Sequence, residues 1–564
     1  PTLGTLENVE FNSSGNTFTL SEDTDYITGD ITIAVNTTFD MGAFNLTVAD
    51  RKTVTNSGTW TAPITPSVFT CAGNATFLGE DINFFDFSGT STNTDTIIFQ
   101  GTKTYTVANN LTLTGGDGTE LYLKSDDGVA TATLSNTGGT QTVDYVRVLK
   151  VDGTNANHIA ATNSWDVDGT LSFWDFAPML YTFTTTGNWG TAGNWEQNIA
   201  PSATDNIIVN VGAILTLNGD RTINDVEVDG TLIVAADAFT LTGDCDIDGA
   251  ITVTSGTVDV DGVFDATGGS VTFTGAGELI ADSTVTSLGT LSTANGTVTY
   301  NGDTAQTIVA GAYPSLKASD AAGTKTLGGA VTVAGGLIID ASVTVDMNGN
   351  TLGVTGTTDI DGVLDVADNI LTLGGASNLD GTMTISTGTV DANGSFDATS
   401  GTITFSDAGN LNLAGTVTDL GTLTSVGFGT VTYDGAGDQA IVEDIYYNLT
   451  AGSGGIKTLG GAVTVTNDLT IDTDVTIAMD THDLSVTNAT DIDGTLAVAG
   501  NALTLNGESD IDGTITISTG TVDADSSFDG TNGTITFTGA GNLTLSSTVT
   551  SLGTLSTTNG TVTY

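Results

Sequence analysis

Along most of the chain, apolar and polar residues alternate in short runs, each closed by Gly, Asn or Asp. In "DIDGTITISTGTVDA" (510–524), Ile511, Ile515 and Ile517 alternate with Asp and Thr. A local period of two marks a strand with one buried face. The same phase recurs upstream, where Ile492, Leu496 and Val498 match Ile511, Ile515 and Ile517 at a constant offset of 19. Val228, Leu232 and Val234 match Ile247, Ile251 and Val253 in the same way. A unit of that size holds about three short strands with their turns. The pattern predicts an all-β fold: a parallel β-helix, or β-solenoid, whose 19-residue coils stack at about 4.8 Å.

A longer repeat encloses these coils. Gly256, Gly388 and Gly520 mark a 132-residue period, as do Gly230, Gly362 and Gly494. The phrase "GTVTY" ends at Tyr300, Tyr433 and Tyr564, and "KTLGGAVTV" starts at Lys325 and Lys457. A fixed long period signals a stacked array rather than independent catalytic domains. It divides the chain into copies at 181–300, 301–433 and 434–564, each expected to hold about seven coils. The step from Gly249 to Gly262 is only 13, which suggests some short coils. Residues 1–180 form a looser module. There, "DITIAVNTTFDMGAFNLTV" (30–48) aligns without gaps on "DLTIDTDVTIAMDTHDLSV" (468–486), so the solenoid is extended to the N-terminal part. A boundary is expected near "DFAPMLYTF" (175–183). The aromatic residues before it, Trp165 and Trp174, either cover a core end or form a platform on which sugars stack.

Composition narrows the function classes. The 564 residues carry 66 acidic and 10 basic side chains, a net charge of −56. Such a surface repels nucleic acid and anionic membranes. No apolar run approaches the ~20 residues of a transmembrane helix, so no membrane insertion is expected. A polyanionic folded surface tolerates salt and attracts divalent cations, which suits an extracellular, cell-surface location. Cys71 and Cys245 read as small core residues or as one disulfide. The chain begins at Pro1 without Met, as a processed or partial chain would. Sequons such as Asn295 and Asn559 permit glycosylation.

The stretch "GNWGTAGNWEQNIAPSATDNIIV" (187–209) and "VTYNGDTAQTIV" (298–309) followed by "KTLGGAVTV" resemble repeats of large secreted bacterial surface proteins. Those are β-helical, akin to filamentous-haemagglutinin-like and autotransporter-passenger adhesins. The resemblance implies an extracellular β-helical stalk, fibre or adhesin. Its motifs are structural, so it carries no catalytic residue over.

The acidic "DIDG" turns are the candidate chemistry. A helix-flanked calcium loop needs carboxylates at positions 1, 3 and 5, Gly at 6 and Glu at 12. With Gly513 at position 6, position 12 is Thr519 and the flanks are strands, so this loop type is excluded. Two readings stay open. In one, Asp accepts hydrogen bonds from its own turn and Gly supplies a positive φ before the next strand. In the other, calcium sits between coils, because Asp229 and Asp248, Asp361 and Asp380, and Asp493 and Asp512 are each one 19-residue coil apart. Stacked carboxylates repel, and a divalent cation or a proton would relieve them. No cofactor is required on either reading.

Nothing else points to catalysis. His158 and His482 are the only histidines, and His482 aligns with Phe44 as a strand position. Lys325 and Lys457 recur with the repeat and read as solvated or stacking residues. Near-identical copies argue against a unique active site. The expectation is a non-enzymatic structural protein that associates end to end into fibres. The alternatives are an adhesin displaying residues 1–180 to surface glycans and, behind it, a polysaccharide-degrading β-helix.

Overall fold

The computed structural model describes residues 6–21, 24–116, 118–167, 170–177, 180–196, 200–319, 323–425, 427–556 and 558–564. It is an all-β parallel solenoid with turns of about 20 residues. The one helical element among the described residues is a 3-10 turn at Ala192–Asn194. Two compact units make up the chain, Pro1–Thr182 with Trp195–Ile207, and Phe183–Asn194 with Ile208–Tyr564. Pro178 and Met179 of the expected boundary stretch lie outside the described residues.

In the first unit, strands pair in parallel and most coils are longer than the expected unit. Val9 lies beside Ile31, Ile31 beside Val54, Thr96 beside Tyr122 and Leu111 beside Gln141. The steps thus lengthen from 22 and 23 to 26 and 30. A wider coil encloses more interior, and close packing demands bulkier side chains to fill it. Phe39, Phe69, Phe77, Phe84, Phe87, Phe99 and Tyr105 supply them, all essentially buried. Phe77 and Phe99 stack at 5.5 Å between ring centres. Cys71 and Cys245 are both buried and free, so the disulfide alternative falls.

In the second unit most coils tighten and the interior turns aliphatic. Cys245 lies beside Phe264, Val298 beside Leu316, and Leu316 beside Leu337, steps of 19, 18 and 21. No 13-residue coil exists among the described residues. Gly262 packs against the Gly243 carbonyl and Gly249 against the Gly230 carbonyl, so the two glycines occupy different corners.

The long repeat is not a whole number of turns. From Gln439–Ile441 to Thr561–Thr563 there are twenty strands. At three per turn that is six and two-thirds turns rather than the seven expected. Each copy therefore enters one face later than the last. In the first copy, Val226–Val228 and Cys245–Ile247 share a sheet. Their counterparts Thr358–Ile360 and Ser377–Leu379 continue the sheet of Ala238–Leu241 and Thr257–Val260. Those of the third copy, Thr490–Ile492 and Ser509–Ile511, continue the sheet of Ile370–Leu373 and Thr389–Ala392. Any surface feature of the repeat thus moves by one face per copy.

The repeat junctions hold buried polar clusters. Lys325 and Lys457 are 0% exposed, not solvated. Lys457 Nζ donates to the Gly435 and Gly437 carbonyls and to Gln439 Oε1, and Lys325 Nζ to the Gly302 carbonyl and Gln306 Oε1. Burying an ammonium is tolerated only with such compensation. Beside each lysine, a tyrosine pair shares a hydrogen bond, Tyr300 with Tyr313 at 2.9 Å and Tyr433 with Tyr446 at 3.0 Å. His482 sits in a turn rather than a strand, its backbone N–H donating to the Met479 carbonyl.

Candidate functional site: the acidic ladders

The "DIDG" turns follow strands whose apolar residues point inward, so the acids on either side point outward. Val228 pairs with Ile247, Ile360 with Leu379 and Ile492 with Ile511. This register sets Asp229 beside Asp248, Asp361 beside Asp380 and Asp493 beside Asp512, one strand spacing apart. All of these but half-buried Asp229 are exposed.

A second acidic ladder runs two positions upstream. Glu227 pairs with Asp246 and Asp246 with Asp265 in the first copy, while Asp491 pairs with Asp510 and Asp510 with Asp529 in the third. The first and third copies thus carry grids of carboxylates, two columns wide. The second is interrupted by Asn378, whose amide donates to Asp359 Oδ1 and Asp380 Oδ2, both at 3.2 Å. The alternation in "DIDG" carried this upstream ladder, but the sequence reading weighed only the acid next to Gly.

The grids are electrostatically strained. Partial burial, then the charge of Asp248, then that of Asp265, holds the Asp246 carboxyl above its ordinary range. Burial followed by Asp493 and Asp510 does the same to Asp491, and burial followed by Asp512 and Asp529 to Asp510. Glu227 is raised by burial and by Asp229, and Asp361 by burial, Asp359 and Asp380. Like charges on neighbouring strands oppose ionisation.

The turn itself works differently from the first of the two sequence readings. Gly249, Gly381 and Gly513 do not have positive φ. Their lack of a side chain serves close approach, since a Cβ at each would overlap the carbonyl oxygen of Gly230, Gly362 or Gly494 on the adjacent coil. The turn N–H groups also donate across coils. Asp512 N and Gly513 N both reach the Ile492 carbonyl, at 3.0 and 2.6 Å. The expected Asp side-chain turn is found elsewhere, at Asp265, Asp397 and Asp529. Their Oδ1 atoms accept from the backbone N–H of Thr267, Thr399 and Thr531 at 2.8–3.0 Å.

Among the described residues, one group brings three carboxylates within 4.8 Å of one another, Asp259, Asp261 and Asp282. Asp259 and Asp261 flank Val260, and Val260 pairs with Ala281, which brings Asp282 alongside. Asp282 also accepts from Asn301 Nδ2 at 2.8 Å. The longer step from Asp261 to Asp282 hid this group from a search at 19. Its counterparts are Asp391, Asn393 and Ala414 in the second copy and Asp523, Asp525 and Ser546 in the third, so it belongs to the first copy alone.

Among the described residues, no helix is long and apolar enough to cross a membrane. No protein-family model, no curated protein and no solved structure matches this chain, so its site is read from its own geometry.

Proposed function

We propose that this chain is a non-enzymatic structural protein, a segment of an extracellular fibre, filament, sheath or adhesin stalk built by β-solenoid stacking. What carries the reading is recurrence in the second unit: the same pattern of strands returns in every copy and moves one face each time. Such an arrangement suits a shaft that presents the same surface on all sides. The internal junctions show how one repeat receives the next. Thr430–Tyr433 pairs with Asn410–Leu413 on one side and with Asn448–Ala451 on the other, so copies join by the same parallel hydrogen bonding that joins coils. End-to-end association of chains would use this geometry as a heterologous, propagating contact. The acidic ladders would face water and, where calcium is present, exchange mutual repulsion for cation bridging.

Electron microscopy of the purified chain with calcium and with chelator tests this. Filaments support the reading, and their loss in chelator makes the ladders cation sites. Isolated particles in both conditions overturn fibre formation. The second reading, an adhesin of the filamentous-haemagglutinin or autotransporter-passenger kind, is favoured by one observation. Surface residues of the first unit do not repeat, so a specific site is possible there. Deleting residues 1–180 would then abolish surface binding and leave the fibre intact.

A further inference from the structure

Both repeat junctions set a lysine amine against a glutamine amide. At the second, Gln439 and Lys457 lie side by side on adjacent coils, on the same inward face as Ile441 and Leu459. Lys457 is fully buried, and its Nζ stands 2.7 Å from Gln439 Oε1. A C=O bond is about 1.23 Å long, so Nζ is at most about 3.9 Å from Gln439 Cδ. Reacting atoms in a productive pair stand about 3–3.5 Å apart, so a small side-chain adjustment separates this contact from attack. In the structure the two side chains are hydrogen-bonded and not joined.

The surroundings favour that attack. Gln439 Oε1 accepts the Gly435 N–H at 2.8 Å, a donor already placed for the negative charge that oxygen gains when an amine adds to the carbonyl. Gln439 Nε2 donates to the Leu413 and Gly415 carbonyls at 2.9 and 2.8 Å, which fixes the amide plane. Burial lowers the pKa of Lys457 against the pull of Asp434 and Asp438, so more of the free amine is present. Asp434 adjoins Gly435 in the chain, and its Oδ1 is buried with no hydrogen-bond partner. Asp438 is exposed and its Oδ1 already accepts the Ile456 N–H at 2.9 Å. Asp434 is therefore the acid of the cluster with an oxygen to spare.

The first junction repeats the amine and the amide without that acid. Lys325 Nζ stands 2.7 Å from Gln306 Oε1, which accepts the Gly302 N–H at 2.8 Å. Asn301 occupies the place of Asp434, and its amide donates to Asp282 Oδ1 at 2.8 Å. We propose that Lys457 and Gln439 become joined by an isopeptide bond, while Lys325 and Gln306 stay hydrogen-bonded. Asp434 turns toward Nζ and takes one proton from the ammonium. The freed amine attacks Cδ, the Nζ–Cδ bond forms, and the Cδ–Nε2 bond breaks with its electron pair leaving on Nε2. The departing nitrogen receives a second proton from Nζ and the first one back from Asp434. An ammonium side chain and a primary amide thus become a secondary amide and one free ammonium ion, with no oxidant or reductant. The bond ties neighbouring coils together where the third copy begins, and it holds whether or not chains assemble into fibres.

Mass spectrometry of the purified full chain, intact and after denaturation and digestion with a protease that cuts before aspartate, tests this. The intact mass should fall below the sequence mass by one ammonia. Digestion should release a branched peptide joined at Gln439 and Lys457, with Gln306 and Lys325 in separate linear peptides. Asp434→Asn should carry the full mass and keep the parent's circular dichroism, because Asn301 already fills that place in the first junction. Lys457→Arg keeps the cation and should carry the full mass as well. Linear peptides at both junctions overturn the proposal in the parent chain itself, whatever the variants do. An ammonia loss confined to a linear peptide, a branched peptide that persists in Asp434→Asn, or equal joining at both junctions also overturns it. Filament formation, read separately by electron microscopy, is unaffected by any of these results.

Discussion

Replacing Asp491 and Asp510 together with Asn should stabilise the third copy at neutral pH. The two residues are directly paired, Asp529 continues their ladder, and the register sets Asp493 and Asp512 in the column beside them. At one strand spacing, about 4.8 Å, two carboxylates repel by about 0.9 kcal/mol in water-like surroundings and more where the effective dielectric is lower. Both side chains are exposed, so screening keeps the total gain from the double variant to about 1–3 kcal/mol at low salt. The pH dependence has a definite sign. Folded-state values above the ordinary range mean that the native ladder binds protons more readily than the unfolded chain. The stability they contribute is complete below the unfolded value of about 3.9 and is lost as pH rises through the folded value. The variant's advantage should therefore be largest at pH 7 at low ionic strength and shrink towards pH 4 or in concentrated salt. Calcium should narrow the gap from the other side by stabilising the parent. Because solenoids unfold in segments, hydrogen exchange of peptides spanning 484–517 reads the effect better than a global melt. A variant less stable than the parent at pH 7, or a gain indifferent to pH and salt, would refute the argument.

Other expectations follow from single residues. Lys457→Met leaves the Gly435 and Gly437 carbonyls and Gln439 Oε1 without their donor. It should cost about 3–5 kcal/mol of local stability, measured by urea titration. Thr490 Oγ1 is buried without a partner. Thr490→Val should be neutral or stabilising by about 1 kcal/mol in the same titration, and a clear loss would mean that a water serves that hydroxyl. Asp50 runs opposite to the ladders. Hydrogen bonds from the Asn74 side chain and backbone hold its carboxyl below the usual range. Its contribution is present above the unfolded value and lost as pH falls through the folded one, so Asp50→Ala should lower the melting temperature of the first unit at pH 7 and not at pH 2.

Much of this protein was legible in the chain itself. Alternation at Ile511, Ile515 and Ile517 determined strands with one buried face, because a period of two admits no other regular element. Recurrence of one phase from Asp229 to Asp248, Asp361 to Asp380 and Asp493 to Asp512 determined stacking, since only a solenoid places the same phase above itself so often. Tertiary structure decided what the pattern averaged over. Coil length varies because corners absorb insertions without disturbing the inward phase. Val298 thus meets Leu316 over a short coil, Ala281 meets Val260 over a longer one, and Leu111 meets Gln141 over one longer still. The glycine of "DIDG" is required by the carbonyl of the preceding coil, a contact with no trace in its own turn. Lys325 and Lys457 look like surface residues in any hydropathy profile. Only the folded corner gathers the carbonyls that allow an ammonium to be buried. Periodicity is a property of one strand at a time, whereas a site is made by strands that meet, and which residues meet depends on the length of every corner between them.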